Sequence, residues 1–437
     1  MGNIIPLNGR IAIVDDVIEQ ALPLMRVLSK NNIPYVFYQG NNVDFLPEES
    51  ENDIRILFLD LNLLGGRDAN PKEIRSVLFN TIKKIISPNN YPYVLILWSR
   101  QENEYKEMLE ELFSNELKQC APITIQNFIK SDFFPDFSEV EENEEKEYTI
   151  LDELKKIILE LPAYSYLMQW ENCVHNSADA TIQDLFHDYH SLENWRNNAN
   201  CILSMFANSY LEKKYEISSP QEKAKASLLF LNDVYNDTLE SNVSNVLFTN
   251  AVDLSCEVPD DYRNDIIAKI NGCILFSNEF ESVHQPGCVF CVNQTETTIK
   301  YFHEIFNSSF CRNGLANKDA KLMKQEIYKS LQPCEIVVTP ACDYAQNKMK
   351  YDRIVHGVII DAEYRSYIDF KSEAIYISPI FVFESRKRII VLNFRYFVTN
   401  SINDIEAKIL FRVRTSLLAE IQSKLARHIN RQGIMNL

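Results

Sequence analysis

The sequence is poor in the features that would make it fibrous, secreted or membrane-bound. Only 10 Gly and 16 Pro occur in 437 residues, which excludes collagenous and low-complexity architecture. No run of about 18 apolar residues is present, and the opening MGNIIPLNGRIAIVDD lacks a basic segment leading into a long apolar core. Neither a membrane span nor a secretory signal is expected, and a cytoplasmic address follows. The 10 Cys show no framework spacing, so in that compartment they read as reduced thiols, mostly small core residues. Positive charge is short as well. Against 61 Asp and Glu stand 44 Lys and Arg, and the net charge of −17 repels phosphate backbones, which argues against DNA as a partner. A P-loop, a Gly-rich dinucleotide fingerprint and a Ser-His-Asp order are all missing, as is any repeat of about 20 to 50 residues.

What is present is a hydrophobic content of 46%, enough for a sizeable core, in a chain long enough for two or three domains at about 150 residues each. Residues 1–137 alternate short apolar runs with amphipathic ones. Arg10 to Asp16, Tyr35 to Tyr38, Ile54 to Asp60, Tyr93 to Ser99 and Ile123 to Lys130 read as buried strands; Val17 to Lys30, Pro71 to Ile86 and Glu102 to Cys120 carry helical spacing. Asn70-Pro71 marks a helix start, because Asn caps and Pro fits the first turn. This alternation implies an α/β domain with a doubly wound parallel sheet, its second crossover, Asn41 to Asp53, mostly loop. The like-charged run SEVEENEEKE, Ser138 to Glu147, repels itself and reads as a solvated acidic linker spanning residues 138–148. A mainly helical region over 149–270 and a mixed α+β C-terminal domain over 271–437 complete the expected order. In the last part Ala374 to Phe383 and Ile389 to Val398 suit an antiparallel hairpin joined by Glu384 to Arg388. Asp404 to Asn430 suits one long amphipathic helix, with Ile405, Ile409, Val413, Leu417, Ile421, Leu425 and Ile429 as its stripe.

In an open α/β sheet, ligands bind at the carboxyl ends of the strands. Asp15 and Asp16 end the first strand, Asp60 the third, Ser99 the fourth and Lys130 the fifth. These positions converge on one edge. Three carboxylates that close repel one another unless a cation shares them, and a hard, oxygen-preferring ion such as Mg²⁺ suits them. Asp60 then serves as a carboxylate nucleophile toward a phosphoryl donor, with Ser99 and Lys130 contacting the transferred oxygens, and the product is an aspartyl phosphate.

The acidic pair in IVDD, the LFLDLNLLGG segment, the hydroxyl residue closing YVLILWS and the Lys closing ITIQNFIK resemble, in order and strand context, the receiver domain of two-component response regulators. The resemblance implies a flavodoxin-like fold for the first 137 residues, Asp60 as phosphoacceptor, and Asp15, Asp16 and Asp60 as metal ligands. It also implies that the backbone carbonyl of Asn62 completes the metal site and that Ser99 and Lys130 sense the phosphoryl group. Leu64 stands where the family usually has Pro, Ser131 where a cis-Pro follows the Lys, and Arg100 where a small residue is usual. Arg100 is read as a clamp or an obstacle at the phosphoryl group, or as a solvated charge; Asn62 and Gln101 are candidates for positioning a hydrolytic water.

No output module is recognisable: residues 138–437 remain net acidic and show no helix-turn-helix with basic and amide side chains at groove spacing. The whole-chain pattern, with Leu167-Met168-Gln169-Trp170-Glu171 in its helical region, resembles the divergent response receivers of bacterial anti-phage conflict systems, in particular the Detocs-type receiver. That resemblance implies a sensor histidine kinase as partner, a second receiver protein carrying an effector, and a phosphate-sink role. Cys288 and Cys291 lie in a stretch reading as a strand, where residues three apart point to opposite faces and do not share a zinc ion readily. Cys342 and Asp343, after the strand Glu335 to Val338, make a better local signal, with His356, Cys334 and His284 as companions. Three readings therefore stand. The chain is a signalling phosphoacceptor whose second half recognises partners or sets an oligomeric state such as a homodimer, without enzymatic activity beyond gaining and losing its own phosphoryl group. Alternatively it is an effector gated by phosphorylation, with a catalytic or metal site at Cys342 and Asp343, or a degenerate receiver acting as a scaffold.

Overall fold

The computed structural model describes residues 5–6, 10–64, 70–99, 105–134, 144–187, 195–245, 260–280, 282–292, 295–345, 350–401 and 407–430. The chain divides into two compact units, Met1–Phe206 with Ser227–Leu254, and Ala207–Ala226 with Ser255–Leu437.

The first unit runs β1 (Ile11–Asp15), α1 (Ile18–Lys30), β2 (Tyr35–Gln39), β3 (Ile56–Leu59), α2 (Pro71–Ile85), β4 (Val94–Ser99), α3 (Lys106–Asn115), β5 (Thr124–Ile129), a single turn α4 (Lys130–Phe133), α5 (Glu144–Leu159) and α6 (Pro162–Phe186). The unit boundaries fall within α7 (Trp195–Leu211) and α8 (Pro220–Asn245). All sheet pairings are parallel, in the order β2-β1-β3-β4-β5, the flavodoxin-like order of a doubly wound sheet. Every residue of β1, β3 and β4 is buried, whereas the edge strands β2 and β5 are mostly half-buried, as expected when helices cover both faces. Alternate residues separate the two cores. Ile11, Ile13, Phe58 and Trp98 pack with α1, α5 and α6, while Val14, Leu57, Leu59 and Leu97 pack with α2 and α3.

Local chemistry explains several boundaries. The Asn70 side chain accepts from Lys72 and Glu73 N–H while Glu73 returns a bond to Asn70 N–H, a capping box with Pro71 at the first helical position. Between β2 and β3 the described chain forms only one 3₁₀ turn, Val43–Phe45, in keeping with its polar composition. At the amino end of the sheet, Glu171 of α6 pairs with Arg10 and Arg55 at 2.9 Å each, and the Tyr164 hydroxyl donates to the Arg55 carbonyl at 2.6 Å. These contacts dock α6 on the sheet. The acidic run is shorter as a connector than its charge implies, because α5 begins at Glu144.

The second unit contains α9 (Asp260–Leu275), β6 (Phe276–Ser277), β7 (Cys288–Val292), α10 (Glu296–Ser309), α11 (Asn317–Tyr328), β8 (Gln332–Val337), α12 (Ala341–Ala345), β9 (Tyr351–Asp361), β10 (Ile375–Ile377), β11 (Phe381–Phe383), β12 (Arg386–Ser401), β13 (Ala407–Val413) and α13 (Thr415–Ile429). Its strands pair antiparallel in the order β10-β12-β9-β8-β7-β13-β6, with β11 also on β12. α13 packs on one face through Leu417, Ile421 and Leu425, and α10 and α11 on the other through Phe302, Phe306 and Ile327.

Two expectations need correction. The long terminal helix is instead a strand, Ala407–Val413, followed by a shorter helix: Ile409 and Val413 of the expected stripe also belong to the alternating set Ala407, Ile409, Phe411 and Val413, and pairing with β7 selects the strand. The expected five-residue connection of the hairpin is a two-residue turn at Glu384 and Ser385, both at positive φ, and Arg386 to Arg388 join β12. No helix among the described residues is long and apolar enough to cross a membrane.

Candidate functional site

Register alone brings the acidic residues together. Val14 faces Leu59 across β1 and β3, so Asp15 and Asp60 are the next step on adjacent strands, tied by Asp60 N–H donating to the Val14 carbonyl at 2.8 Å. Ser99 faces Ile129 across β4 and β5, and Lys130 follows at once. Asp16 lies just past β1, its carbonyl accepting from Gln39 Nε2 at 3.4 Å and Asn41 Nδ2 at 3.2 Å. Asp15, Asp16, Asp60, Ser99 and Lys130 thus meet at the carboxyl edge of the sheet, all buried.

Lys130 is wholly buried, at 0% exposure, and a buried ammonium is tolerated only with counter-charges and filled hydrogen bonds. Its Nζ donates to Asp15 Oδ2 at 2.7 Å, Asp60 Oδ2 at 3.0 Å and Gln20 Oε1 at 3.2 Å. Three N–H groups meet three acceptors. The second oxygens are held by backbone: Asp15 Oδ1 accepts from Val17 N–H at 3.0 Å and Asp60 Oδ1 from Asn62 N–H at 3.2 Å. Burial pushes the Asp15 carboxyl up to about 6, opposed by the Lys130 charge beside it and reinforced by Asp60.

One ammonium does not neutralise three carboxylates, and one oxygen from each of Asp15, Asp16 and Asp60 lies within 4.8 Å of the others. This all-oxygen, net-negative donor set fits a hard divalent cation. Asn62 is exposed and sits two residues beyond Asp60. Leu64 is half-buried and Ser131 exposed on α4, while Arg100 and Gln101 lie outside the described residues. Sequence reasoning missed Gln20, the third acceptor of Lys130, and Gln39 and Asn41, which hold the acidic turn. All three are uncharged amides near β1 or β2, and their residue types carry no signal of which way they face.

In the second unit the speculative residues separate. The Cys342 side chain lies outside what is described; Asp343, on α12, pairs with Arg353 at 3.6 Å. Arg353 and His356 are three residues apart on β9 and point to opposite faces, so Asp343 and His356 are not brought together. His356 instead stacks on Phe302 and faces Glu335 across β8 and β9, Nδ1 to Oε1 3.5 Å. Burial pushes Glu335 up to about 7 and His356 down to about 4. His284 pairs with the buried Asp352 at 2.6 Å. Cys288 packs with Phe290 and Val337, whereas Cys291, three residues on, lies on the other face of β7.

No protein-family model matches this chain, and no curated protein matches it.

Proposed function

We propose that the chain is a phosphoacceptor of the receiver type, taking a phosphoryl group from a partner histidine kinase on Asp60. The observation that carries the reading is the Lys130 ammonium bonded at once to Asp15 and Asp60 at the carboxyl edge of a five-stranded parallel sheet. In a cluster built only for stability, apolar side chains would fill the same space at lower desolvation cost. Asp15, Asp16 and Asp60, with the Asn62 carbonyl, are the groups that would hold Mg²⁺; when bound, the ion neutralises charge on the phosphoryl oxygens and on the acidic cluster.

The protein's own groups divide the work. Asp60 supplies the attacking carboxylate oxygen, and its bond to phosphorus forms as the bond from phosphorus to the donor nitrogen breaks. Asn62 N–H and Lys130 Nζ fix the carboxylate plane before attack, so orientation is prepaid. Once Asp60 is phosphorylated to the acyl phosphate its carboxyl no longer carries full negative charge, and Lys130 is available to a phosphoryl oxygen while Asp15 and Gln20 keep it in place. Ser99, on the neighbouring strand end, supplies a hydroxyl to the same group. Asn62, exposed two residues beyond the acceptor, is the residue we assign to orienting a water that ends the phosphoryl lifetime.

The absence of a recognisable output motif, the acidic surface and the whole-chain resemblance support a role as phosphoryl sink or regulator in an anti-phage two-component system. A sensor kinase and a second receiver with an effector would be its partners. Fluoroberyllate, a mimic of the aspartyl-bound phosphoryl group, tests the site: with Mg²⁺ it should raise the unfolding midpoint of the native chain and leave Asp60→Asn unmoved. An equal rise in both proteins would remove Asp60 from the proposal.

A further inference from the structure

We propose that the second unit carries a small-molecule site, a cavity between α9 and strands β6, β11 and β13 that takes a flat aromatic monoanion. The cavity is a cleft open to solvent on one side, with a volume of about 420 Å³. Phe276, Phe381, Phe383 and Phe411 wall it. Phe276 and Phe381 stack with ring centroids 4.0 Å apart, and Phe383 meets Phe411 at 5.0 Å and 70°. Phe276, Phe381 and Phe411 are buried, so core packing sets these walls. The helix wall is pinned too: Asn271 Nδ2 donates to the Ile380 carbonyl at 2.7 Å, and Lys387 pairs with Asp265 at 2.7 Å.

Gly272 points the same way. It lines the cavity from within α9, where glycine is among the least favourable residues because it frees the backbone and buries nothing. A Cβ at position 272 would meet nothing nearer than the Val382 backbone, at 3.9 Å, an ordinary contact. Glycine at this position therefore leaves that volume open. Lys269, one turn earlier on the same helix, is exposed and is the only charged residue among the described residues lining the cavity. Aromatic walls select a planar apolar body, and the ammonium at the rim selects a single negative charge. The inference is independent of the phosphoacceptor reading, which concerns the other unit.

Fluorescence titration of the full chain with 8-anilinonaphthalene-1-sulfonate, an aromatic monoanion, and with its uncharged counterpart N-phenyl-1-naphthylamine tests the site. The sulfonate should bind saturably at one per chain and about tenfold more tightly than the amine. Gly272→Leu, which fills the cavity, should abolish that binding while the unfolding midpoint holds or rises. Lys269→Glu should weaken the sulfonate about tenfold and leave the amine unchanged. Absence of saturable binding, or binding undiminished in a folded Gly272→Leu protein, would overturn the proposal. Should Gly272→Leu lose its fold, the rim variant decides alone: sulfonate affinity unchanged in Lys269→Glu would overturn it equally.

Discussion

At the scale of single residues, the buried ammonium of Lys130 is shared between Asp15, Asp60 and Gln20, and that sharing governs both stability and acceptance. Lys130→Met leaves Asp15 and Asp60 facing each other without a counter-charge, and a stability loss of about 3–5 kcal/mol at neutral pH is expected from urea unfolding. Gln20→Leu removes one acceptor from a filled set and should cost about 1 kcal/mol, with slower phosphoryl acceptance because the ammonium is no longer fixed in direction. Burial pushes the Asp15 carboxyl from its ordinary 3.8 up to about 6, so between those values the folded chain holds a proton that the unfolded chain has lost. Stability therefore falls as pH rises through that interval, whereas affinity for a divalent cation, which needs the carboxylate, grows and levels off above it. The rise in unfolding midpoint on adding Mg²⁺ should accordingly be larger at pH 7.5 than at pH 5; an equal rise would remove Asp15 from the ligand set. The five residues of this cluster were legible in the sequence because strand-end positions in a parallel sheet converge whatever the loops do. Gln20 was not, since the pattern of α1 does not say which polar side chain of its first turn faces inward.

Among whole elements, α6 and the β8/β9 pair carry the clearest tests. Glu171→Ala strips the shared partner from Arg10 and Arg55, and a loss of about 2–4 kcal/mol is expected by urea unfolding, well above the effect of an exposed ion pair. On β8 and β9, burial pushes Glu335 from 4.5 up to about 7 and His356 from 6.5 down to about 4, so the two slopes oppose each other. Glu335 makes stability fall as pH rises from 4.5 to about 7; His356 makes it rise from about 4 to 6.5. Glu335→Gln should expose the second trend and His356→Phe the first, in urea midpoints measured across that range. Parallel profiles for the two variants would mean that these groups do not titrate as their burial implies. Element type was readable where pattern and capping agreed, as at Asn70, Pro71 and Glu73 of α2. It failed for residues 407–413, where apolar residues satisfy a spacing of two and a spacing of four together, and only the partner strand β7 decides between them.

Across the whole molecule, the first unit reaches beyond the boundary that composition implies. Ile150, Leu154, Ile158 and Met168 complete the core around Trp98 and Phe128, so a fragment ending at residue 137 should expose that face and aggregate, whereas the full chain does not. Light scattering of the two proteins would show it. The acidic run hid this continuity, because a solvated charge cluster marks a connector without saying whether the helix after it returns to the same core. The second unit was legible as mixed α+β but not as one antiparallel sheet, since its strands pair out of sequence order and pairing of that kind leaves no local signal. Phosphoryl acceptance by Asp60 is read from the intact mass of the purified chain after incubation with Mg²⁺ and a small-molecule phosphodonor. A single Mg²⁺-dependent phosphoryl adduct, absent from Asp60→Asn and decaying after the donor is removed, is the predicted result. An adduct of equal yield on Asp60→Asn, or none on the native chain, would contradict it.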